Sequence, residues 1–450
     1  MKDIQSSSYY SNDARLVWHP CTPSQDAETT PPLLIDRAKG VYLYDRDGKS
    51  YLDAISSWWV NLFGHNHPRL NNALEKQLRK MAHVMFAGVT HRPAIDLAKK
   101  LVELSPESLK RVFFSDNGST SIEAALKISL QYWKQTGKKK KNRFVFLKGG
   151  YHGETLGALS NCGIDLFRNK FEDVLAENIE VEGPDCFNCP YGLKRESCDA
   201  ECFEKMEAAL NSQSDRVAGV LAEPLVQGAA GMKMYPPIYL KKLQTLCKEK
   251  NVHLILDEIA VGFGRTGSIF VCKGHGLEPD FLCLSKGITS GYLPLSATLT
   301  SDKIFSAFNG KFEDMRWFVH SHSYTANPLA CAVANESLDM LSEDGFFEKL
   351  DEKINALSSM SEILKDLPHC GEYRQTGLIG AVELIRPDGS DFKLEERIGR
   401  RIYLDGLKNG IFIRPLGNVI YFMPPLSITE DEIKFMVETA RNSILNVLNK

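Results

Sequence analysis

Phe281-Leu-Cys-Leu-Ser-Lys286-Gly-Ile-Thr289 is the stretch around which the chain is organised. Its apolar run has the length of a buried strand and stops directly before Lys286. Earlier in the chain, Val252-His-Leu-Ile-Leu-Asp257-Glu258 has the same form and places Asp257 at the end of a strand. Because the carboxyl ends of parallel strands line one crevice, we expect Asp257 and Lys286 to face the same ligand.

An amine and a carboxylate on one rim suit a pyridoxal phosphate site. The amine of Lys286 would form a Schiff base with the cofactor's aldehyde, and Asp257 would keep the pyridine nitrogen protonated so that the ring accepts electrons. A lysine and an aspartate at ordinary strand ends, solvated or paired with each other, would look the same. These two residues alone leave both interpretations open.

The composition is that of a full-sized globular protein. With 450 residues and 43% hydrophobic content, the chain suits one large and one smaller domain. Its net charge of -3 argues against a nucleic-acid or anionic-membrane surface as the main function. No apolar run reaches spanning length, and the start of the chain lacks the apolar segment of a secretory signal. We therefore expect a cytoplasmic protein.

The eleven cysteines fall into two groups. Cys247, Cys283 and Cys331 lie in apolar runs, as expected of reduced, buried thiols. Four others have a C-x2-C and a C-x3-C spacing that loosely resembles a metal site, namely Cys186, Cys189, Cys198 and Cys202. The favoured alternative is an irregular excursion whose thiols pack together or stay free, so we predict no metal. Elemental analysis of the purified protein would decide between the two.

The order of patterns along the chain predicts two domains. Residues 9–40 lack sustained periodicity and are expected to form an extended arm, and residues 40–52 read as a hairpin with an Asp-Gly turn. Strand and helix patterns alternate from about residue 112 to 300, which indicates a mostly parallel sheet with helical cover. The composition then shifts towards charged helices and short strands. This indicates a second, α+β domain, and no long linker precedes it.

A glycine-rich helix start lies between the hairpin and these strands. Asp116-Asn-Gly-Ser-Thr120 leads from a short strand into a helix, and such an N-terminus offers free backbone amides to a phosphate. Gly-Ser before a helix is common and is weak evidence alone. Placed ahead of Asp257 and Lys286 in a βα series, it is the expected third part of a pyridoxal phosphate site.

Aromatic residues at two other places suit the wall of a cavity. Tyr151 and His152 stand between glycines, which would let the backbone carry them into a crevice where a ring could stack on a planar cofactor. A loop that merely needs glycines would look similar. Trp58 and Trp59 are adjacent and cannot both point the same way on regular structure. One can be core, and at least one can wall a cavity.

Residues 257–267, Asp-Glu-Ile-Ala-Val-Gly-Phe-Gly-Arg-Thr-Gly, followed by Ser285-Lys286-Gly287, closely resemble the signature of the class III pyridoxal phosphate aminotransferases. The resemblance implies the fold type I architecture, an α/β fold whose large domain has a mostly parallel seven-stranded sheet, with a smaller α+β domain. It also implies a homodimer with active sites at the subunit interface. The domains expected on this basis are 1–60, an arm and hairpin that belong to the small domain, 61–335, the large domain, and 336–450, the rest of the small domain.

Within the class, the chain resembles the members that convert 8-amino-7-oxononanoate to 7,8-diaminononanoate in biotin synthesis. The matching segments cover nearly the whole chain and are 18–20, 58–59, 115–119, 150–153, 223–228, 322–327, 414–417 and 423–425. This resemblance implies a ping-pong transamination with pyridoxal 5'-phosphate as cofactor and S-adenosylmethionine as the probable amino donor.

The resemblance also implies a role for each matching residue. Lys286 would hold the cofactor and move the proton between substrate and cofactor, Asp257 would pair with the pyridinium nitrogen, and Tyr151 would stack on the ring. The cofactor-binding residues are expected to be Gly118, Ser119, Tyr151, His152, Asp257, Ile259, Lys286 and, from the partner subunit, Ser323. The substrate-binding residues are expected to be Trp58, Trp59, Tyr151, Lys286, Gly291 and Arg414, of which Arg414 would bind the substrate carboxylate.

Two departures from the pattern bear on the amino donor. Cys21 stands where the adenosylmethionine-using members have Tyr, and Glu154 stands where they commonly have Asp. Some relatives use lysine as donor, so that alternative stays open. Another class III ω-aminotransferase is the nearest other function, and a non-catalytic metal-binding module built on the four clustered cysteines is a distant one.

Overall fold

The computed structural model describes residues 2–30 and 32–448. Its strands are β1 Ile35–Lys39, β2 Tyr42–Asp45, β3 Ser50–Asp53, β4 Arg111–Ser115, β5 Arg143–Leu147, β6 Ile179–Val181, β7 Val217–Ala222, β8 Val226–Gln227, β9 Lys233–Met234, β10 His253–Asp257, β11 Phe281–Leu284, β12 Ser296–Thr300, β13 Cys370–Thr376, β14 Ile379–Leu384, β15 Ile411–Phe412 and β16 Val419–Phe422.

Its helices are α1 Lys2–Leu16, α2 Ser24–Thr29, α3 Ser56–Trp59, α4 Pro68–Leu78, α5 Arg92–Leu104, α6 Gly118–Gln135, α7 Leu156–Leu159, α8 Asp165–Arg168, α9 Glu204–Gln213, α10 Pro237–Glu249, α11 Val271–Gly274, α12 Asp302–Ser306, α13 Pro328–Leu341, α14 Phe346–Met360, α15 Glu362–Lys365, α16 Ile398–Lys408 and α17 Glu430–Leu448. Short 3-10 turns lie at Asn169–Val174, Glu201–Phe203, Lys286–Thr289, Phe312–Asp314 and Leu394–Glu396. Among these described helices, none combines the length and apolar character needed to cross a bilayer.

The central sheet has seven strands in the order β4-β12-β11-β10-β7-β5-β6. The five strands from β11 to β6 run parallel to one another, and β12 is antiparallel to both its neighbours. Every residue of β7, β10 and β11 is buried, as expected for parallel strands covered on both faces. The predicted α/β fold with a mostly parallel seven-stranded sheet is confirmed.

Helix α6 covers one face of this sheet and begins beside the carboxyl ends of its strands. Apolar residues on one side of α6 are buried, among them Trp133, whose indole nitrogen donates to the carbonyl oxygen of Ala218 in β7 at 2.8 Å. That bond satisfies the polar atom of a large buried side chain and fixes the helix along the sheet. The first turn of α6 is thereby held at the rim where β10 and β11 end.

One of the smaller sheets, β1-β2-β3-β15, joins the two ends of the chain. The predicted hairpin is present as β2 and β3, and β3 pairs in parallel with β15, with Leu52 opposite Ile411. A second sheet has the order β13-β14-β16. The pairing of an N-terminal hairpin with a C-terminal strand supports grouping residues 1–60 with 336–450. The domain boundaries themselves stay a prediction.

The expectation of an extended arm over residues 9–40 is wrong, because α1, α2 and β1 lie there. The described side chains of α1 are mostly exposed, so this helix has no apolar stripe for periodicity to detect. Helix α2 is attached by charge instead: the Asp26 carboxylate accepts from both Arg397 and Arg400. Such a long-range ion pair leaves no local pattern in the sequence.

The apolar run of residues 291–300 predicts a strand and the amphipathic run of residues 343–365 predicts one helix, and both elements differ in extent. The strand expected over residues 291–300 begins only at Ser296, since Gly291 has φ +82° and Pro294 follows it. The single helix expected over 343–365 is broken at Ser361 into α14 and α15. Strand β13 was not expected, because its residues are mostly polar and only partly buried.

Candidate active site

Lys286 and Asp257 meet at one cavity. Strands β10 and β11 are parallel neighbours in which Asp257 lies opposite Cys283, and Lys286 begins the 3-10 turn that follows β11. Both residues line a cavity of about 740 Å³ at the carboxyl ends of the strands. The crevice that the two strand ends predicted is therefore present.

The environment of Lys286 favours a reactive amine. Its backbone has φ +45°, a left-handed conformation that is unusual for a residue with a side chain. Its nitrogen lies 4.7 Å from the centre of the Trp59 ring. Burial lowers the pKa of Lys286, and the nearby carboxylates of Asp257 and Glu223 oppose that shift. A lowered pKa increases the neutral, nucleophilic fraction of the amine.

Asp257 is held rigidly by a bond to each oxygen. His152 Nδ1 lies 2.8 Å from Oδ2 of Asp257, and the backbone amide of Ile259 donates to Oδ1 at 3.0 Å. His152 and Asp257 are both buried. The carboxylate is thus fixed in direction within the cavity, as a partner for a protonated ring nitrogen must be.

The start of α6 forms another part of the cavity wall. Asn117 caps the helix: its side chain accepts from the amide of Thr120 at 3.2 Å, and the Thr120 hydroxyl accepts from the amide of Asn117 at 3.0 Å. The cap engages the third residue of the helix, and the first two, Gly118 and Ser119, line the cavity. An anion placed there meets the positive end of an eighteen-residue helix.

Two glycines allow the close packing of this wall. A Cβ on Gly118 would lie 3.0 Å from a methyl group of Ile259, which lines the same cavity. A Cβ on Gly153 would lie 2.0 Å from the Ser119 hydroxyl, and Gly153 has φ +114°. The loop that carries Tyr151 therefore lies directly against the helix start, and only glycine fits at its end.

Tyr151 lines the cavity and is held at both of its ends. Its hydroxyl donates to Glu154 at 2.8 Å, and its backbone amide donates to Glu223 at 2.9 Å. Burial, together with the bond to Glu154, raises the pKa of Tyr151, with a smaller contribution from Cys21. The phenol stays protonated at neutral pH, and Cys21 and Glu154 both belong to its surroundings.

Glu223 is a cavity residue to which the sequence analysis gave no role. It follows β7 as Asp257 ends β10, so the same strand-end argument would have found it. Its two oxygens accept from the amides of Tyr151 and Gly228, at 2.9 and 3.0 Å. Burial raises the pKa of Glu223 to about 7. A second buried carboxyl group therefore lies near Lys286.

The two tryptophans are placed differently from each other. Trp59 is buried and lines the cavity, whereas Trp58 is 40% exposed. Within the described residues, the structure does not bring Trp58 or Arg414 to the cavity lining. The guanidinium carbon of Arg414 lies 4.2 Å from the centre of the Trp58 ring. Gly291 lines the cavity, and a Cβ there would lie 2.0 Å from the side-chain oxygen of Asn61.

Ser323 is the one expected cofactor residue that the structure does not bring to this cavity within the described chain. Its side chain is exposed on the segment that precedes α13. The expectation places it in the cavity of a partner subunit, and that expectation stays a prediction.

The clustered cysteines lie apart from this cavity. Together with Tyr239, they line a separate, small space of about 20 Å³. The four cysteines are Cys186, Cys189, Cys198 and Cys202. In residues 2–30 and 32–448 there is no group of three or more His, Cys, Asp or Glu side chains that could hold a metal ion. Burial raises the pKa of the Cys186 thiol to about 12, which fits packed, protonated thiols. The three cysteines expected in the core are buried.

Comparison with known proteins assigns the family. The profile of the family described as aminotransferase class-III matches residues 24–444. The chain belongs to the class III aminotransferases. An adenosylmethionine-8-amino-7-oxononanoate aminotransferase from Geobacter sulfurreducens is 42% identical to this aminotransferase over 99% of each chain.

Solved structures show the same fold. The crystal structure of the adenosylmethionine-8-amino-7-oxononanoate aminotransferase from Methanocaldococcus jannaschii superposes with a TM-score of 0.93 at 36% identity, covering 98% of this aminotransferase and all of that chain (100%). An omega transaminase from Pseudomonas jessenii in complex with PMP gives a TM-score of 0.92 at 29% identity, covering 98% of each chain. The fold type I architecture is thereby confirmed. Because both superpose equally well, backbone similarity does not separate their substrates.

Proposed function

We propose that this aminotransferase uses pyridoxal 5'-phosphate to convert 8-amino-7-oxononanoate to 7,8-diaminononanoate, a step of biotin synthesis, with S-adenosylmethionine as amino donor. The observation that carries the proposal is the single cavity lined by the Lys286 amine, the Asp257 carboxylate and the start of α6. The substrate follows from the relatives. The Geobacter enzyme is 42% identical, whereas the Pseudomonas omega transaminase is 29% identical.

The residues that line the cavity fit each polar group of pyridoxal phosphate. When bound, the cofactor supplies an aldehyde that exchanges amines and a ring that accepts electrons. Asp257, fixed by His152, would hold a proton at the ring nitrogen, and Gly118 and Ser119 would bind the phosphate. Lys286 would hold the aldehyde end and then move the proton at the substrate carbon.

The ring of the cofactor would lie between two side chains that already line the cavity. Tyr151 would stack on one face and Ile259 would pack on the other, and Gly118 supports the second contact by leaving room for Ile259. Tyr151 is held by its bonds to Glu154 and Glu223, and the backbone of Ile259 is held by its bond to Asp257. The two faces would therefore keep the ring in one plane and exclude water from it.

Arg414 would bind the carboxylate of 8-amino-7-oxononanoate. Its guanidinium stacks on Trp58, and it pairs with no carboxylate in the part of the chain that the structure describes. A planar guanidinium held against an aromatic face offers two parallel N–H groups to an incoming carboxylate. Trp58, Trp59 and Gly291 would form the adjoining wall of the substrate channel.

The working molecule would be a cytoplasmic homodimer. The segment before α13 carries large apolar side chains that are exposed in the single chain, namely Phe312, Met315, Val319 and Tyr324. Exposed apolar groups in such number indicate a surface that is covered in the assembly. Ser323 lies among them, and we assign it to the phosphate site of the partner subunit.

Cys21 and Glu154 bear on the choice of donor. Glu154 lines the cavity and accepts from Tyr151, so its acid function is kept with one more methylene than Asp has. Cys21 contributes to the electrostatic surroundings of Tyr151 but offers no aromatic hydroxyl. The second candidate is the same reaction with lysine as amino donor. The residues Cys21 and Glu154 favour this alternative.

The first experiment follows the visible absorption of the purified protein with bound cofactor. S-Adenosylmethionine, added without acceptor, should abolish the band of the lysine-bound cofactor, and lysine added instead should leave it. Loss of the band with lysine alone would assign the donor to lysine. Lys286→Ala should lack the band from the start. Lys141→Ala is the matched control, because that buried amine binds only the carbonyl oxygens of Ser214 and Val217.

A second measurement tests the acceptor. The protein is first treated with its amino donor, so that the bound cofactor carries the amino group. It is then given 8-amino-7-oxononanoate, and 7,8-diaminononanoate is measured by mass spectrometry. A preparation that aminates pyruvate but not 8-amino-7-oxononanoate would be another class III ω-aminotransferase. A colourless preparation that contains metal would instead revive the metal-binding module.

A further inference from the structure

The turn that carries Trp58 and Trp59 has an unusual backbone. Helix α3, Ser56–Trp59, is left-handed: the φ angles of its four residues are +50°, +49°, +85° and +72°. L-amino acids avoid this region because Cβ approaches the following carbonyl oxygen, and they occupy it singly rather than in runs. Four in succession persist only where surrounding bonds determine the conformation.

Asp53 supplies those bonds from the residue that ends β3. It is fully buried. One carboxylate oxygen accepts from the backbone amide of Ser57 at 2.9 Å. The other accepts from the Ser57 hydroxyl at 2.7 Å and lies 2.9 Å from Nε2 of His65. The backbone amide of Ile55 also donates to the first oxygen, at 3.4 Å. Four groups thus converge on one carboxylate, and two of them belong to Ser57 of the left-handed turn.

The turn is joined to the cavity through Trp59 and to Arg414 through Trp58. The Trp59 indole nitrogen donates to the hydroxyl of Tyr421 at 3.0 Å, and its ring faces the amine of Lys286. Trp58 carries the guanidinium of Arg414 on its face. A change in the backbone of the turn would therefore displace the two side chains that flank the amine and the carboxylate-binding arginine.

We propose that Asp53 is a positioning residue, which holds the left-handed turn through Ser57 and His65 and thereby sets the places of Trp58 and Trp59. Asp53 does not itself line the cavity. Its effect on catalysis passes through the turn, and the part of this inference that concerns 8-amino-7-oxononanoate rests on the proposed function.

A carboxylate accepts every bond that Ser57 and His65 offer and strengthens each of them by its charge. Asparagine has the same shape, but it carries no charge and its amide nitrogen replaces one acceptor oxygen. Asp53→Asn thus weakens the bonds to Ser57, and it forces the Ser57 hydroxyl and the His65 ring to accept where they can donate to Asp53. The turn would then relax towards ordinary backbone angles, and the side chains of both tryptophans would shift.

The test compares Asp53→Asn, Ser57→Gly and the double variant. Asp53→Asn should lower kcat/KM for 8-amino-7-oxononanoate by about 10- to 100-fold, chiefly through KM, as misplacement of a substrate wall does. Glycine adopts left-handed angles without steric cost. Ser57→Gly in the Asp53→Asn background should therefore recover most of the loss. Ser57→Ala, which keeps Asp53 and removes one bond, should raise KM a few-fold, and it replaces Asp53→Asn if that variant does not fold.

Hydrogen exchange gives a readout that is independent of turnover. In Asp53→Asn, amides in the segment 53–62 should lose protection while the sheet strands keep theirs. Asp280→Asn is the matched control. This carboxylate is partly buried and accepts from the amide of Leu254 at 2.9 Å, at the opposite ends of the strands. It should change the melting temperature without changing kcat/KM.

Two results would overturn the inference. One is an Asp53→Asn variant with wild-type kcat/KM and a protected segment 53–62. The other is a loss of kcat/KM that Ser57→Gly does not relieve and that Asp280→Asn reproduces at equal melting temperature. If the wild-type protein does not aminate 8-amino-7-oxononanoate, the proposed function fails, and exchange in segment 53–62 still decides the role of Asp53.

Discussion

Glu223 couples the buried charge of the cavity to the loop that carries Tyr151. It accepts from the amide of Tyr151 and lies close enough to Lys286 to oppose the lowering of that amine's pKa. Desolvation acts on both groups in the same sense, towards their neutral forms. Burial thus favours the neutral form of both groups, and the charge of Glu223 opposes this effect at Lys286.

The raised pKa of Glu223, about 7, predicts a specific pH dependence of stability. The folded protein keeps this proton at pH values where the unfolded chain has lost it, so the contribution is full below the ordinary glutamate pKa and is lost as pH rises to about 7. Glu223→Gln cannot ionise. The wild-type protein should therefore exceed Glu223→Gln in melting temperature by more at pH 5 than at pH 8. Thermal unfolding of both proteins without substrate measures this difference. A difference that grows with pH would contradict the assignment.

Single residues were predictable where the signal was local. Lys286 and Asp257 end buried strands, and that pattern alone placed them on one rim. Asp53 and the contact between Arg414 and Trp58 were not predictable in this way. The contact between Arg414 and Trp58 joins segments that are far apart in sequence. The bonds of Asp53 to Ser57 and His65 depend on a left-handed turn that no local pattern predicts.

The loop 149–153 and the first turn of α6 act as one element of the site. Gly153 lets the loop approach Ser119 so closely that the amide of Glu154 reaches the Ser119 hydroxyl at 3.3 Å. This contact positions the loop that carries Tyr151 relative to Ser119. A cofactor that touches both is then bound by a preorganised pair.

Gly153→Ala should separate these two elements. Its Cβ would lie 2.0 Å from the Ser119 hydroxyl, so the loop or the helix start must shift. Pyridoxal phosphate should bind about tenfold more weakly or worse, a loss of at least about 1.4 kcal/mol, measured by titration of the apoprotein. Gly192→Ala is the control: Gly192 also has positive φ, +66°, but a Cβ there meets nothing within 4 Å. Equal affinity losses in both variants would assign the effect to backbone strain.

Elements with a buried face were predictable from the sequence, and elements held by polar contacts were not. Strands β7, β10 and β11 are apolar throughout and bounded by turn residues, so length and composition identified them. Helix α1 has no apolar stripe, and the polar strand β13 gave no alternation to detect. The left-handed turn α3 follows from no local rule, because its four residues avoid that conformation elsewhere.

At the scale of the whole molecule, the cavity depends on both ends of the chain. Strand β3 leads into the tryptophan turn, and its partner β15 leads to Arg414. The seven-stranded sheet supplies Asp257, Lys286 and the start of α6. The proposed substrate wall and the proposed cofactor site thus adjoin different sheets, an arrangement that the family resemblance implies and that periodicity does not.

An exposed Ser323 among exposed apolar side chains predicts a dimer in which each cavity uses residues of two chains. Lys286→Ala dimers should be inactive, and Ser323→Ala dimers should need more pyridoxal phosphate for half-maximal activity. When the two variants are unfolded and refolded together, each mixed dimer has one cavity with both Lys286 and the partner subunit's Ser323. Activity at limiting cofactor should therefore exceed that of Ser323→Ala refolded alone at the same concentration. No excess, with mixed dimers confirmed by mass spectrometry, would place Ser323 outside the partner's cavity.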